Sequence, residues 1–292
     1  MRNYQAYANR SGGAAFNKAL NYGRRLLQPQ YWPELRRMAV KRLKNESPDL
    51  SQAERARAYC ASIARDIPGA FAALNLESGT LPSFAGEHAD RLTAAQARID
   101  AANARMGGGA DLDLLYALCV CSEARRVLET GVAFGWSTLA ILSALEERRD
   151  GRLISIDKPY LGANYDDLIG LAVPHELRGR WTLLRGADRD RLEDAIAMLQ
   201  PIDLAHYDSD KSEAGRFWAY PLIWEALRPG GILMSDDIDD NFAFFDFAEA
   251  VGVTPVVVSN AAGGKFAGVL RKDQESGGTL DSAPGNTSRA RI

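Results

Sequence analysis

Two apolar runs in the chain end in clusters of acids. The first leads through Asp203 and His206 to Asp208, Ser209, Asp210 and Lys211, and the second closes on Ser235, Asp236 and Asp237. If the runs are neighbouring strands, their ends lie about 5 Å apart, which brings Asp208 beside Asp236 and Asp237. Carboxylates that close repel and raise one another's pKa unless something positive stands between them, and a divalent cation with oxygen ligands is the simple solution. The plainer alternative is that these acids cap the helices following the two strands. A third stretch, Val127 to Leu139, runs from an apolar strand into a turn punctuated by Gly131 and Gly135, then into a helix. Glycine takes backbone angles closed to other residues and lets a ligand approach the main chain, while a helix start offers unpaired N–H groups. With Glu129 two residues ahead of Gly131 and able to contact a ligand, the stretch reads as a cradle for a nucleotide-type cofactor. Its spacing, Gly-Val-Ala-Phe-Gly, is not the G-x-G-x-x-G of a pyrophosphate site. Asp157, closing the run Ile154 to Ile156, stands where a carboxylate can accept hydrogen bonds from both hydroxyls of a ribose.

The elements that would place these residues are legible from Arg126 onward. Strands are expected at Arg126 to Thr130, Arg152 to Asp157, Trp181 to Arg185, Ile202 to Tyr207 and Gly231 to Ser235, with helices near Gly135 to Glu147, Asp190 to Leu199 and Ser212 to Leu227. Repeated strand-helix-strand units imply a doubly wound α/β fold: a parallel sheet, helices on both faces, ligands beyond the strands' C-terminal ends. A helix near Phe242 to Ala250 then precedes Thr254 to Ser259 and Lys265 to Leu270, which read as an antiparallel hairpin joined by a glycine turn. Residues 1–110 lack the strand rhythm and read as a helical cap, with helices at Glu34 to Leu43, Ser51 to Arg65 and Arg91 to Met106, and a break at Gly107 to Gly109. Within the cap Arg24, Arg25, Arg36, Arg37, Lys41, Arg42 and Lys44 lie among Tyr22, Tyr31 and Trp32, either a solvated face or a lid or docking surface. The stretch 273–292 has a composition that suggests disorder.

The pattern Glu129-x-Gly131-x-x-x-Gly135-x-Ser137 resembles the first motif of class I S-adenosylmethionine-dependent methyltransferases, whose loop holds the methionine part of the cofactor. A mostly parallel seven-stranded sheet with a reversed last strand, preceded by an N-terminal helical cap, is similar to that class's architecture, and the resemblance spans roughly residues 111 to 271. It implies cofactor contacts at Glu129, Gly131, Gly135 and Ser137, ribose at Asp157, and adenine near Asp188, which also suits a helix cap. The stretch from Asp208 to Lys211, together with Asp236 and Asp237, resembles the catechol and caffeoyl-coenzyme A O-methyltransferases and the macrocin O-methyltransferase group. There the corresponding acids hold magnesium or a similar metal, which implies Asp208, Asp236 and Asp237 as ligands and Lys211 as general base, with His206 a competing base. Asp237 replaces the Asn of the catechol-like group, which adds negative charge at the site.

At 292 residues, 46% hydrophobic and 25% charged, the composition is that of an ordinary globular chain. A net charge of -3 gives no electrostatic case for nucleic acid or an anionic membrane as main partner. No stretch is apolar enough to span a bilayer and no signal-peptide core opens the sequence, so a cytoplasmic protein is expected. Cys60, Cys119 and Cys121 form no metal or disulfide pattern and are expected as reduced thiols. The expected acceptor is a small hydroxylated molecule, with the N-terminal helices a possible homodimer surface. Three other readings remain open: methyl transfer or a tailoring reaction without metal, as in cephalosporin hydroxylase-like relatives; a noncatalytic cofactor-binding scaffold; and a nucleotide-sugar transferase built on Asp208-Ser209-Asp210. Trp136 and Tyr207 are expected to pack in the core.

Overall fold

The computed structural model describes residues 21–43, 50–76, 79–161, 165–259 and 264–273. The expected strands are present as β1 (Arg126–Thr130), β2 (Arg152–Asp157), β3 (Trp181–Arg185) and β4 (Ile202–Tyr207), followed by β5 (Leu227–Ser235), β6 (Val256–Ser259) and β7 (Phe266–Arg271). They form one sheet in the order β3-β2-β1-β4-β5-β7-β6, parallel except for β7, which runs antiparallel to both neighbours. Central parallel strands must be apolar on both faces because helices cover both. In β1, accordingly, Val127 joins one hydrophobic cluster and Leu128 the other.

One face is covered by α6 (Leu112–Cys121) and α7 (Trp136–Leu145), the other by α8 (Asp188–Leu199), α9 (Glu213–Ala226) and α10 (Ala243–Ala250). Upstream lie α1 (Trp32–Leu43), α2 (Leu50–Ile63), α3 (Ile67–Ala73), α4 (Phe84–Glu87) and α5 (Ala89–Ala101). Phe71, Phe84 and Ile99 from this upstream set share a single cluster with Val127 and Leu204 of the sheet, so these helices extend the main core. Cys60 and Cys119 are buried and Cys121 half-buried, all as free thiols. The end of the helical cap's basic segment at Lys44, the hairpin turn at 260–263 and the stretch 274–292 lie outside the described residues.

Of the boundaries that differ from expectation, three have a physical reason visible in the structure. β5 begins at Leu227 rather than Gly231 because the Arg228-Pro229-Gly230-Gly231 segment continues the ladder: Gly230 N–H donates to Lys272 O, and Lys272 N–H donates to Gly231 O. α2 stops at Ile63 because Arg65 leaves the helix to bridge Val258 at the sheet edge, its N–H donating to Val257 O at 2.9 Å. α5 stops at Ala101, short of Met106, where Asn103 takes a left-handed φ of 46°.

The crevice that positions the site lies where the winding direction reverses, between β1 and β4. Ile156, Thr130, Tyr207 and Ser235 lie in register across β2, β1, β4 and β5. The next residues, Asp157, Gly131, Asp208 and Asp236, therefore form one row along the C-terminal edge of the sheet. Across the sheet, Gly268 on β7 leaves room for a ring: a Cβ there would come within 2.4 Å of Phe244 on α10. Gly268→Ala is expected to cost about 1–3 kcal/mol by overpacking, read as a lowered midpoint in urea unfolding.

Candidate active site at the strand ends

The row of strand-end residues is tied together by backbone bonds one step beyond the ladders. Gly131 N–H donates to Ile156 O at 2.8 Å, Asp208 N–H to Thr130 O at 2.9 Å, and Asp236 N–H to Tyr207 O at 3.0 Å. Gly131 has φ 84°, and a Cβ on it would come 2.3 Å from the carbonyl oxygen of Asp208. Glycine at this place lets the cofactor-type loop and the acidic loop meet main chain to main chain.

Glu129 is fully enclosed beneath that loop, and hydroxyls meet its carboxylate from three sides: Ser137 Oγ at 2.6 Å, Thr138 Oγ1 at 2.7 Å and Ser155 Oγ at 2.7 Å. It thus braces the loop from below, with no oxygen turned to the cavity. Trp181 Nε1 donates to Ser155 Oγ at 2.9 Å and closes the cluster. On the opposite side His206 Nδ1 lies 3.7 Å from Glu129, and its Nε2 lies 3.3 Å from Asp236 Oδ2. Burial alone would lower the His206 pKa, but the Asp236 and Glu129 carboxylates on either side raise it and keep the ring an imidazolium. His206 is 1% exposed, because β4 is covered on both faces, and it lies under the cavity wall rather than on it.

The cavity over the row measures about 880 Å³ and is lined by Gly131 to Phe134, Trp136 and Ser137 on one side and by Asp157, Asp188, Asp208, Lys211, Asp236 and Asp237 on the other. That volume falls in the range typical of small-molecule sites. Gly135, whose φ of 85° turns the chain into α7, packs behind the loop, where a Cβ would meet Gly170. Trp136 spans both environments, lining the cavity and packing on the core. Tyr207 is buried, its hydroxyl donating to Asp210 O at 2.8 Å.

Desolvation by burial raises the Asp157 carboxyl to about 6, opposed by Arg185, whose guanidinium lies 3.3 Å away. Asp188 does not cap α8; it accepts a hydrogen bond from Ser209 Oγ, whose oxygen lies 2.9 Å from the Thr130 hydroxyl. Burial raises its pKa as well. Asp210 accepts from both the N–H and hydroxyl of Ser212 and so belongs to the start of α9.

The remaining acids and Lys211 meet at the far wall. Lys211 Nζ lies 2.9 Å from Asp208 Oδ1 and contacts Asp237 Oδ2, while Lys265 Nζ lies 3.0 Å from Asp237 Oδ1. Burial would lower the Lys211 pKa, but Asp208 and Asp237 raise it, and the amine is held as an ammonium. Asp208 is pushed up to about 6 by burial and by Asp236 beside it. Asp237 is lowered despite burial, through its bonds to Lys211 and Lys265. Among the described residues no three His, Cys, Asp or Glu side chains are grouped closely enough to hold a metal ion, because Lys211 stands between Asp208 and Asp237. The donor chemistry nevertheless suits a hard cation: the wall offers carboxylate oxygens, and among the described residues the buried Oδ1 of Asp208 is met by the Lys211 ammonium alone.

Two residues that sequence reasoning did not single out hold this wall in place. Arg216 on α9 is fully buried; it donates to Asp236 O at 3.2 Å, Asp237 O at 2.6 Å and Asn241 Oδ1 at 3.0 Å. Asn241 in turn donates to Lys211 O at 2.9 Å. The pair holds Asp237 at φ 49°, a left-handed conformation that costs a non-glycine residue energy and is imposed by its surroundings. The available signal was spacing, since Arg216, Tyr220 and Ile223 fall on one helical face whose other members are apolar.

Residues 128–238 match the family model described as a methyltransferase domain. This segment is similar to a methyltransferase domain. Its fold neighbours agree: a Klebsiella pneumoniae protein provisionally named an O-methyltransferase superposes with a TM-score of 0.51 at 20% identity, covering 63% of this chain and 90% of that one. An O-methyltransferase from Bacillus cereus, solved in complex with SAH, gives a TM-score of 0.50 at 19% identity over 65% of this chain and 95% of its own. At these identities the likeness is one of fold, the class I methyltransferase sheet with its reversed strand. No curated protein sequence matches the chain.

The brace under the Gly131 to Ser137 loop is open to direct test. Glu129→Ala leaves His206 charged against a single partner and three hydroxyls without an acceptor, and is expected to lower unfolding free energy by about 3–5 kcal/mol in denaturant titration. A loss below about 1 kcal/mol would remove the carboxylate from its central place.

Proposed function

We propose that the protein transfers the methyl group of S-adenosylmethionine to a hydroxyl of a small acceptor. The observation that carries this reading is the convergence on one cavity of the Gly131 to Ser137 loop, Asp157 and Asp188 with Lys211 and the Asp208, Asp236, Asp237 wall. In the proposed binding mode the loop holds the methionine end of the cofactor. Asp157 accepts hydrogen bonds from the ribose hydroxyls, and the adenine lies toward Asp188. The acceptor occupies the far wall, where its oxygen attacks the methyl carbon in line. The new C–O bond forms as the C–S bond breaks, and sulfur keeps the electron pair and leaves as the neutral thioether of S-adenosylhomocysteine. Most of the acceleration comes from holding the two reactants at attacking distance in a preorganised polar wall.

The acceptor's proton goes to Lys211 in this scheme. Its amine is an ammonium in the resting arrangement, so it must release a proton to solvent before each turnover. His206, buried and charged, serves instead to fix Asp236 from behind. Asp208, Asp236 and Asp237 are the residues that would hold a divalent cation such as magnesium, whose chemistry there would be to lower the acceptor hydroxyl's pKa. The oxygen chemistry of these three acids supports that assignment, and Lys211, which now meets Asp208 Oδ1, must give up its place between Asp208 and Asp237 for it to hold.

Titration calorimetry with S-adenosylhomocysteine tests the cofactor, and absence of binding would sink the proposal. Binding should weaken as pH falls through about 6, because Asp157 accepts the ribose hydroxyls as a carboxylate and loses that form on protonation. Lys211→Met should lower kcat by about 10²–10⁴ while leaving S-adenosylhomocysteine affinity within about twofold. Chelation followed by magnesium titration decides the cation: a saturable heat lost in Asp208→Ala supports it, and turnover unaffected by chelator assigns the wall's positive charge to Lys211 and Lys265.

A further inference from the structure

The basic N-terminal segment takes no part in the reaction as drawn, yet it reaches the cofactor side of the cavity through buried charge. Arg25 is 8% exposed and lies with its guanidinium 4.1 Å from the centroid of the Tyr31 ring. It donates to Asp166 Oδ2 at 2.5 Å, and Tyr31 Oη donates to the same oxygen at 3.0 Å. The other oxygen of Asp166 accepts from Arg185 at 2.7 Å, and Arg185 reaches back to Asp157 at 3.3 Å. Carboxylate and guanidinium thus alternate from Asp157 through Arg185 and Asp166 to Arg25. A second bridge runs from Arg37 on α1 to both oxygens of Asp190, two residues past Asp188. Tyr22, Glu34, Arg37 and Met38 of the same segment line the cavity.

Taking S-adenosylmethionine as the ligand, a reading that rests on the function proposed above, we propose that residues 21–43 are a clasp over the cofactor. Arg25 and Tyr31 act in it as positioning residues for Asp157. The electrostatics give the direction. Arg185 is shared between two carboxylates; with Arg25 in place the charge of Asp166 is met from the other side, and Arg185 remains available to orient Asp157. Without Arg25, Asp166 draws Arg185 toward itself, and Asp157, already desolvated, loses the cation that steadies its charged form. The Arg37 bridge is about one-third exposed on both partners, so solvent weakens it, and it acts as the latch that opens to let the cofactor pass. The less exposed pair of Arg25 and Asp166 is the hinge side.

The test uses the full chain, with S-adenosylhomocysteine as probe, in the wild type, Arg25→Ala, Asp166→Asn and the exposed control Leu27→Ala. Arg25→Ala and Asp166→Asn should each raise Kd about tenfold, the order expected for losing one charge-assisted contact, and raise the KM for the methyl donor in step. kcat at saturation should stay within about twofold, which a general loss of structure would not spare. Hydrogen exchange across residues 21–43 should slow on adding the probe to the wild type and should not slow in Arg25→Ala. Affinities of both variants equal to the control, or exchange in 21–43 indifferent to the probe, would overturn the clasp while leaving the methyltransferase reading intact. Failure of the wild type to bind the probe at all would overturn both.

Discussion

With Glu129 sealed from water, three hydroxyls and the imidazolium of His206 meet its charge, and they arrive from α7, β2 and β4. A buried carboxylate is tolerable only when its lone pairs are occupied, so the positions of those three elements are not independent. His206 passes the constraint on: held by Glu129 on one side, it presents Nε2 to Asp236 on the other. The loop that would receive the cofactor and the carboxylate that would face the acceptor are thereby referred to one buried charge.

The sheet supplies the second half of the arrangement. Because four strands end in register, one residue from each turns out at the same level, and a glycine and three acids stand in a row about one strand spacing apart from register alone. Main-chain contact between Gly131 and Asp208 then leaves little tolerance between donor and acceptor sides. Arg216 and Asn241 add a clamp from the other face, fixing the backbone of Asp236, Asp237 and Lys211 while those side chains remain in the cavity.

Much of this was legible in the order of residues, and the division follows physical lines. β1 to β4 lie where expected because a strand buried on both faces is a short apolar run with abrupt polar ends. Those ends are the places where Asp157 and Asp208 emerge. The start of β5 was hidden because Pro229, Gly230 and Gly231 have the composition of a turn, and only pairing with the chain at Lys272 makes them a strand. Glu129 was legible as important but not in its orientation, since an acid two residues before Gly131 can point up to a ligand or down to Ser155. Lys211 and His206 were visible as basic groups near acids, but their charge state depends also on partners far along the chain, Asp237 being 26 residues from Lys211 and Asp236 30 residues from His206. Arg185, Asp166 and Arg25 could not be linked from sequence at all, because ion pairs across such separations leave no local periodicity.

The reversed β7 has a practical consequence. The described chain enters at Tyr22 against the cavity, whereas Lys272 pairs with Gly230 and Gly231 at the opposite edge of the sheet, roughly 16 Å of strand from Asp236. The molecule therefore has a working end and a handling end. Cargo, a fluorophore or a solid support joined beyond Lys272 starts its path on the side away from the strand-end row. The same addition ahead of Tyr22 starts at the mouth of the cavity, where even an inert polymer would compete with small molecules for entry.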